Sequence, residues 1–184
     1  LALAALGAPV TGFIAYQLDH SAWEGLRYYD LIWPSFMLMV GVSIPFSFAR
    51  RSATQTRGQL MRQAWWRSVI LFLLGSLRES MSANTPMWIE LSSALQPIAL
   101  AYFVASYLAG RALRLQIGVA VGILVVHALL LALVPAAGLP GGTYQVNRNL
   151  VTVVDQAVIG RAHPEGWGTL LSAIPTISTT ILGL

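Results

Sequence analysis

The chain has 184 residues, of which 56% are hydrophobic and only 10% are charged, and its mean hydropathy is +0.67. A soluble domain carries about 25% charged residues, so this composition excludes an ordinary water-soluble globule and indicates a polytopic membrane protein. All eleven positive residues are arginine and seven residues are acidic, which gives a net charge of +4, and cysteine is absent. Disulfides and cysteine-based sites are therefore excluded, and we expect no nucleic-acid partner because membrane topology accounts for the basic charge.

Apolar runs in the sequence predict an all-α transmembrane bundle of about six spans. A spanning helix needs about 20 mostly apolar residues. The third run is short, but Trp65 and Trp66 at its start indicate an interfacial aromatic belt. We interpret 1–184 as a single transmembrane domain, and expect it to be part of a longer chain. The candidate spans are 1–17, 31–49, 66–79, 91–109, 115–137 and 167–184.

The distribution of arginine predicts how these spans are oriented. Five arginines lie in 50–67 and two in 110–114, which fall on one side of the predicted bundle, whereas all the acidic residues fall on the other side. Loops rich in arginine stay in the cytoplasm. We therefore predict an integral protein of a bacterial inner membrane, surrounded by lipid bilayer, with the loops 18–30, 80–90 and 138–166 on the extracytoplasmic side.

The longest predicted extracytoplasmic segment is 138–166. Its start is rich in glycine and proline, which predicts a loop. Its middle places apolar residues at helical spacing, which predicts a short amphipathic helix lying at the membrane surface. Asn147 and Asn149 are predicted to cap this loop. The apolar positions are Leu150, Val153, Val154, Ala157 and Val158.

Two ionisable residues flank the first predicted extracytoplasmic loop. His20 follows the first span and Asp30 precedes the second, so both should lie near the same membrane surface. Imidazole transfers protons near neutral pH, and a nearby carboxylate can fix its tautomer. The simpler interpretation also stands, in which His20 is a solvated loop residue and Asp30 is the helix N-cap, with Pro34 in the first turn. We find no spacing typical of metal ligands.

The stretch "HSAWEGLRYYDLIWPSFMLMVGVSI" resembles a motif of the heparan-alpha-glucosaminide N-acetyltransferase family. Four further stretches resemble later family segments in the right order: "AWWRSVILFLLG", "SSALQPIALAYFVASYLA", "NLVTVVDQAVIGRAH" and "HPEGWGTLLSAIPTISTTILG". The likeness covers nearly the whole chain and corresponds to the N-terminal half of the family. The first motif matches at His20, Trp23, Gly25, Asp30, Leu31, Pro34, Gly41 and Ser43.

The resemblance implies a transmembrane acyltransferase that uses cytoplasmic acetyl-CoA as acyl donor. The acceptor would be an extracytoplasmic sugar amine or a related group. His20 would be the catalytic residue, as a base or a transient acetyl carrier, and Asp30 would orient its ring. Arg62 and Arg67 would bind the phosphates of acetyl-CoA.

Two departures from the family pattern leave catalytic activity open. Pro9 stands where the family carries asparagine, and Gln96 is followed by Pro97 instead of arginine. The alternative is a non-catalytic accessory subunit that contacts other membrane subunits in a larger complex. A homo-oligomer also remains open, and a transporter is a more distant third interpretation.

Overall fold

The computed structural model describes residues 2–21, 23–89, 91, 94–135, 138–161 and 170–184. This part of the chain is mostly helical and contains seven helices and one short β-hairpin. The helices are α1 (Ala2–Gln17), α2 (Tyr28–Ser52), α3 (Arg57–Ala83), α4 (Leu95–Leu108), α5 (Leu113–Leu133), α6 (Leu150–Ile159) and α7 (Leu170–Leu182). The hairpin pairs β1 (Tyr144–Gln145) with β2 (Arg148–Asn149) in antiparallel register.

The chain divides into two compact units. Unit 1 covers Leu1–Phe36 and contains α1 and the first part of α2. Unit 2 covers Met37–Leu184 and contains the rest of α2 and all later elements. The prediction of one transmembrane domain over 1–184 stays a prediction.

The predicted helical character is confirmed, since the described chain is mostly helical and each of the six predicted spans overlaps a helix, but the six-span bundle stays a prediction. Of the described helices, α2 and α5 are long and apolar enough to cross a membrane. Only 6% of the most apolar stretch of α5 is buried, whereas the core helix of a soluble protein would be mostly buried. This exposed apolar surface agrees with a membrane location.

The segment 50–67, which the predicted spans 31–49 and 66–79 leave as a connecting loop, is mostly helical, so the prediction of a loop is wrong there. Helix α2 continues to Ser52 and α3 begins at Arg57, so the connection is only 53–56. Thr56 and Gln59 form a capping box: the Thr56 hydroxyl accepts from the Gln59 N–H at 3.4 Å, and Gln59 Oε1 accepts from the Thr56 N–H at 2.8 Å. This reciprocal pair satisfies two N–H groups at the start of α3, which explains why the helix starts well before its apolar part.

Helices α3 and α4 pack as an antiparallel pair in unit 2. At one end, Arg57 of α3 donates hydrogen bonds of 3.0 Å to the carbonyl oxygens of Tyr107 and Ala109 at the end of α4. At the other end, Gln96 of α4 donates to Ser76 of α3 at 2.9 Å. The connections 53–56 and 109–112 therefore lie at the same end of unit 2, with Arg57 next to the first and Arg111 within the second.

The core of unit 2 is built mainly from small residues. Helix α7 packs against both α4 and α5, and the Ser178 hydroxyl of α7 donates to the Ala120 carbonyl of α5 at 3.0 Å. Gly41 of α2 and Gly183 after α7 allow the two backbones to approach, because a Cβ at either position would overlap backbone atoms of the other segment. The buried apolar cluster consists of Ile44, Ala105, Leu108, Ala109, Ala120 and Ile181.

The predicted helix within 138–166 is confirmed as α6, and Asn149 is its N-cap, accepting from the Thr152 N–H at 2.9 Å. Asn147 has a left-handed φ of 58° in the hairpin turn, which asparagine tolerates. The predicted apolar face is only partly right: Val158 is 65% exposed, whereas Asp155 is the buried residue, 1% exposed. The Asp155 carboxylate accepts from the Leu170 N–H at 3.1 Å, so it satisfies a donor at the start of α7.

Candidate functional site

The loop between α1 and α2 brings His20 and Asp30 together. The loop is closed by Gln17, the last residue of α1, whose side-chain oxygen accepts from the Tyr28 N–H at 3.0 Å. Within this closed loop, His20 Nδ1 lies 2.8 Å from Asp30 Oδ1. This distance is that of a strong hydrogen bond between a ring nitrogen and a carboxylate.

The second oxygen of Asp30 is bound by the loop backbone. Asp30 Oδ2 accepts from the Arg27 N–H at 2.9 Å and from the Ser21 N–H at 3.4 Å. Asp30 is the third residue of α2, and its side chain reaches back to the N–H groups that precede the helix. The prediction that Asp30 is the N-cap is therefore wrong, because the residue lies three positions after the N-cap. Pro34 accordingly lies in the second turn. Both oxygens of the Asp30 carboxylate therefore have hydrogen-bond partners, and the fixed carboxylate in turn orients the His20 ring.

These hydrogen bonds also stabilise the charged form of the Asp30 carboxyl. Asp30 precedes the uncharged stretch 31–49 that is predicted to cross the membrane. The hydrogen bond from His20 is the largest cause, followed by that from the Arg27 backbone, and together they hold the pKa of Asp30 far below its ordinary value of 3.8. Hydrogen bonds to the ionised form of an acid have this effect in general. Asp30 is therefore a carboxylate at neutral pH.

The His20 ring is held by its neighbours and remains accessible. Its side chain is 43% exposed, and Tyr29 packs edge-on against the ring, with centroids 4.4 Å apart and planes at 87°. Because Nδ1 faces Asp30, the carboxylate favours the tautomer with the proton on Nδ1 and leaves Nε2 as the basic atom. A general base or nucleophile is typically oriented by a neighbouring group in this way, and here that group is the Asp30 carboxylate.

The same loop also contains an ion pair between an arginine and an aspartate. Arg27 Nη1 lies 3.5 Å from Asp19 Oδ2, and the Arg27 guanidinium stacks over the Tyr16 ring at 4.1 Å. Our sequence interpretation assigned no role to Arg27, Asp19 or Tyr29. The sequence signals these residues only by the concentration of polar and aromatic side chains in and beside the loop 18–30. Such a concentration does not indicate which side chains contact one another.

Arg62 and Arg67 both lie on α3 in unit 2, where both are exposed. Five residues on an α-helix correspond to a rotation of about 140°, so the two guanidinium groups leave different faces of α3. One phosphate group bound by both would not fit this arrangement easily. Their predicted role in binding acetyl-CoA stays a prediction.

Comparisons with known proteins add no assignment. No model of a known protein family matches the chain, and no curated protein matches it. The likeness to the N-acetyltransferase family therefore rests on the quoted motifs alone.

Proposed function

We propose that the chain is a membrane acyltransferase-like protein whose reaction centre is His20, oriented by Asp30. One observation carries the proposal: the 2.8 Å contact between His20 Nδ1 and Asp30 Oδ1. The two residues that the resemblance implies as catalytic are paired in a geometry suited to proton transfer. The proposed donor is cytoplasmic acetyl-CoA, and the proposed acceptor is an extracytoplasmic sugar amine or a related group.

Two chemical routes suit this arrangement. In the first, Nε2 of His20 accepts the amine proton as the amine nitrogen attacks the thioester carbonyl, the C–S bond breaks, and the proton passes to the departing thiolate. In the second, Nε2 attacks the thioester carbonyl, the C–S bond breaks and the CoA thiolate leaves. The amine nitrogen then attacks the acetyl group on the ring, the N–C bond to the ring breaks, and the amine proton passes through the released imidazole to the thiolate. Asp30 holds the ring so that Nε2 points away from the carboxylate in the first route, and in both routes it stabilises the positive ring that forms.

The proposed topology is a six-span bundle in a bacterial inner membrane with the arginines of 50–67 and 110–114 on the cytoplasmic side. The hydrogen bonds from Arg57 to Tyr107 and Ala109 support it, because they hold the start of α3 and the end of α4, which border these two arginine groups, at one end of unit 2. Positively charged loops on one side are typical of the cytoplasmic face. Arg62 and Arg67 would then contact the phosphates of the donor separately.

A non-catalytic accessory subunit is the second candidate. The outer face of α5 favours it, because Val126 and Leu129 are 57% and 50% exposed on a helix with little buried surface. Such a face would contact either lipid or a neighbouring membrane subunit. In this case His20 and Asp30 would only stabilise the loop.

The test is transfer of labelled acetyl groups from acetyl-CoA in membranes that contain the protein. We expect transfer with the wild type, loss with His20→Ala, and wild-type transfer with the control His127→Ala, which removes an imidazole from α5. Equal incorporation by wild type and His20→Ala would remove the catalytic assignment. Incorporation no higher than in membranes without the protein would favour the accessory subunit.

A further inference from the structure

Few contacts hold the end of α1 against the start of α2 in unit 1. Residues 10–16 of α1 are all exposed, and α1 packs extensively against no other described element. Side-chain packing, which usually holds membrane helices together, therefore contributes little here. The position of the loop between the two helices, and of His20 within it, depends on a small number of polar and aromatic contacts.

Arg27 contacts the last turn of α1 through its side chain and the start of α2 through its backbone. The guanidinium lies over the Tyr16 ring, with its central carbon 4.1 Å from the ring centroid. The Arg27 N–H donates to Asp30 Oδ2 at 2.9 Å, and Asp30 Oδ1 faces His20 Nδ1 at 2.8 Å. Arg27 therefore connects α1 to the carboxylate that orients the His20 ring.

The stacking of Arg27 on Tyr16 contributes more to this connection than the ion pair of Arg27 with Asp19. The pair is long, at 3.5 Å, and the Asp19 side chain is 78% exposed, so solvent screens it. The Arg27 side chain is only 18% exposed, and a cation–π contact strengthens as the cation loses water. The neighbouring hydrogen bond from the Tyr28 N–H to Gln17 remains when the Arg27 side chain is changed.

We propose that Arg27 is a positioning residue for His20: its guanidinium, held on the Tyr16 ring, fixes the loop so that His20 Nδ1 stays against Asp30. Arg27 acts through this contact and not on the reacting atoms. Without the guanidinium the contact should form for a smaller fraction of the time, and the two ring tautomers should approach the mixture of a free imidazole. The effect on acyl transfer rests on the proposed function, whereas the effect on the tautomer does not.

The experiment measures two properties of the full chain in nanodiscs. The first is kcat and KM for acetyl transfer from labelled acetyl-CoA to glucosamine. The second is the tautomer of His20, by NMR of the histidine ring nitrogens. The chain has three histidines, and His20→Gln identifies the signals of His20.

The variants separate the guanidinium from the rest of the loop. Arg27→Gln removes the positive charge and keeps the backbone N–H that Asp30 accepts, and Arg27→Lys restores a cation. Tyr16→Leu removes the aromatic ring, and Tyr16→Phe keeps it. Arg148→Gln, at an exposed arginine of unit 2, is the matched control.

We expect the Nδ1–H tautomer of His20 to predominate in the wild type. Arg27→Gln and Tyr16→Leu should each shift the ring toward the free mixture and lower kcat by about tenfold to 10²-fold, because the imidazole is misplaced. The KM for acetyl-CoA should stay within about twofold of wild type, since binding is not changed. Arg27→Lys and Tyr16→Phe should recover most of both properties, and Arg148→Gln should match wild type.

A wild-type tautomer in a folded Arg27→Gln protein would overturn the proposal, even if its unfolding temperature fell, because the side chain would then have a structural role only. So would a wild-type ring that already shows the free mixture, or an equal effect of Arg148→Gln. If Arg27→Gln does not fold, Tyr16→Leu against Tyr16→Phe decides in the same way. A wild type that transfers no acetyl group contradicts the proposed function alone, and the tautomer then decides the role of Arg27 by itself.

Discussion

Arg57 Nη1 donates a hydrogen bond of 3.0 Å to the carbonyl oxygen of Ala109, fifty-two residues further along the chain. The second guanidinium nitrogen donates to the Tyr107 carbonyl at 3.0 Å. Both acceptors belong to the end of α4, where carbonyl groups have no partner within the helix. One arginine of the predicted cytoplasmic cluster therefore has a structural role, and joins the start of α3 to the end of α4.

Replacing Arg57 should destabilise the protein. Arg57→Gln removes two charge-assisted hydrogen bonds, and because this side chain is largely exposed we expect a loss of about 1 kcal/mol in the free energy of unfolding. Arg62→Gln is the control, since Arg62 is an exposed arginine of the same helix. Denaturant unfolding in detergent measures both. Equal stability of the two variants would show that the contact contributes nothing.

The close approach of α2 and α7 should not tolerate a methyl group. A Cβ at Gly41 would overlap the carbonyl oxygen of Thr180, and overpacking of this kind costs about 1–3 kcal/mol. Gly118→Ala is the control, because a Cβ there meets nothing within 4 Å and alanine favours the helix. Thermal unfolding should therefore show Gly41→Ala below wild type and Gly118→Ala at or above it. Equal unfolding temperatures for the two variants would contradict the packing.

The buried amide of Gln96 should be needed for stability. Its side chain is fully buried, at 0% exposed, and donates to Ser76 and to the Trp88 carbonyl. Gln96→Met keeps the size but removes these bonds, at a cost of about 1–3 kcal/mol. Gln156→Met, at an exposed position of α6, should have no such effect. Chemical denaturation of both variants checks this, and a Gln96→Met protein as stable as wild type would refute the role.

The interactions of Asp30 should make part of the stability depend on pH. Because folding lowers the pKa of this carboxyl below 3.8, its contribution is present above about pH 4 and is lost as the pH falls further. Asp30→Asn should therefore be less stable than wild type at pH 6, and the gap should narrow in acid. Asp19→Asn, which removes a largely exposed carboxylate, is the control. A gap in unfolding temperature that stays constant between pH 6 and pH 3 would contradict this.

Hydropathy predicted the helices well because a long apolar run has few other stable conformations in a membrane. The start of α3 was missed because its first turns are polar, and only the Thr56–Gln59 capping box signals it. The buried carboxylate of Asp155 was missed for a different reason. Its partner is a backbone N–H fifteen residues away at the start of α7, and helical spacing within α6 contains no information about that contact.

The pairing of His20 and Asp30 could be anticipated because only ten residues separate them and both flank one short loop. The orientation of the ring could not be anticipated, since it depends on Tyr29 and on the backbone N–H groups of Ser21 and Arg27 that fix the carboxylate. Loop backbone geometry of this kind has no periodic signal in the sequence.

The most direct measurement is the rate of acetyl transfer by His20→Gln, Asp30→Asn and the double variant in membranes, relative to wild type. If the ring performs the chemistry and the carboxylate acts through it, His20→Gln should lower the rate by about 10²–10⁴-fold. Asp30→Asn should lower it less, and the double variant should match His20→Gln, because residues that act as a unit are not additive. Wild-type rates in His20→Gln, or losses that simply multiply in the double variant, would contradict this account.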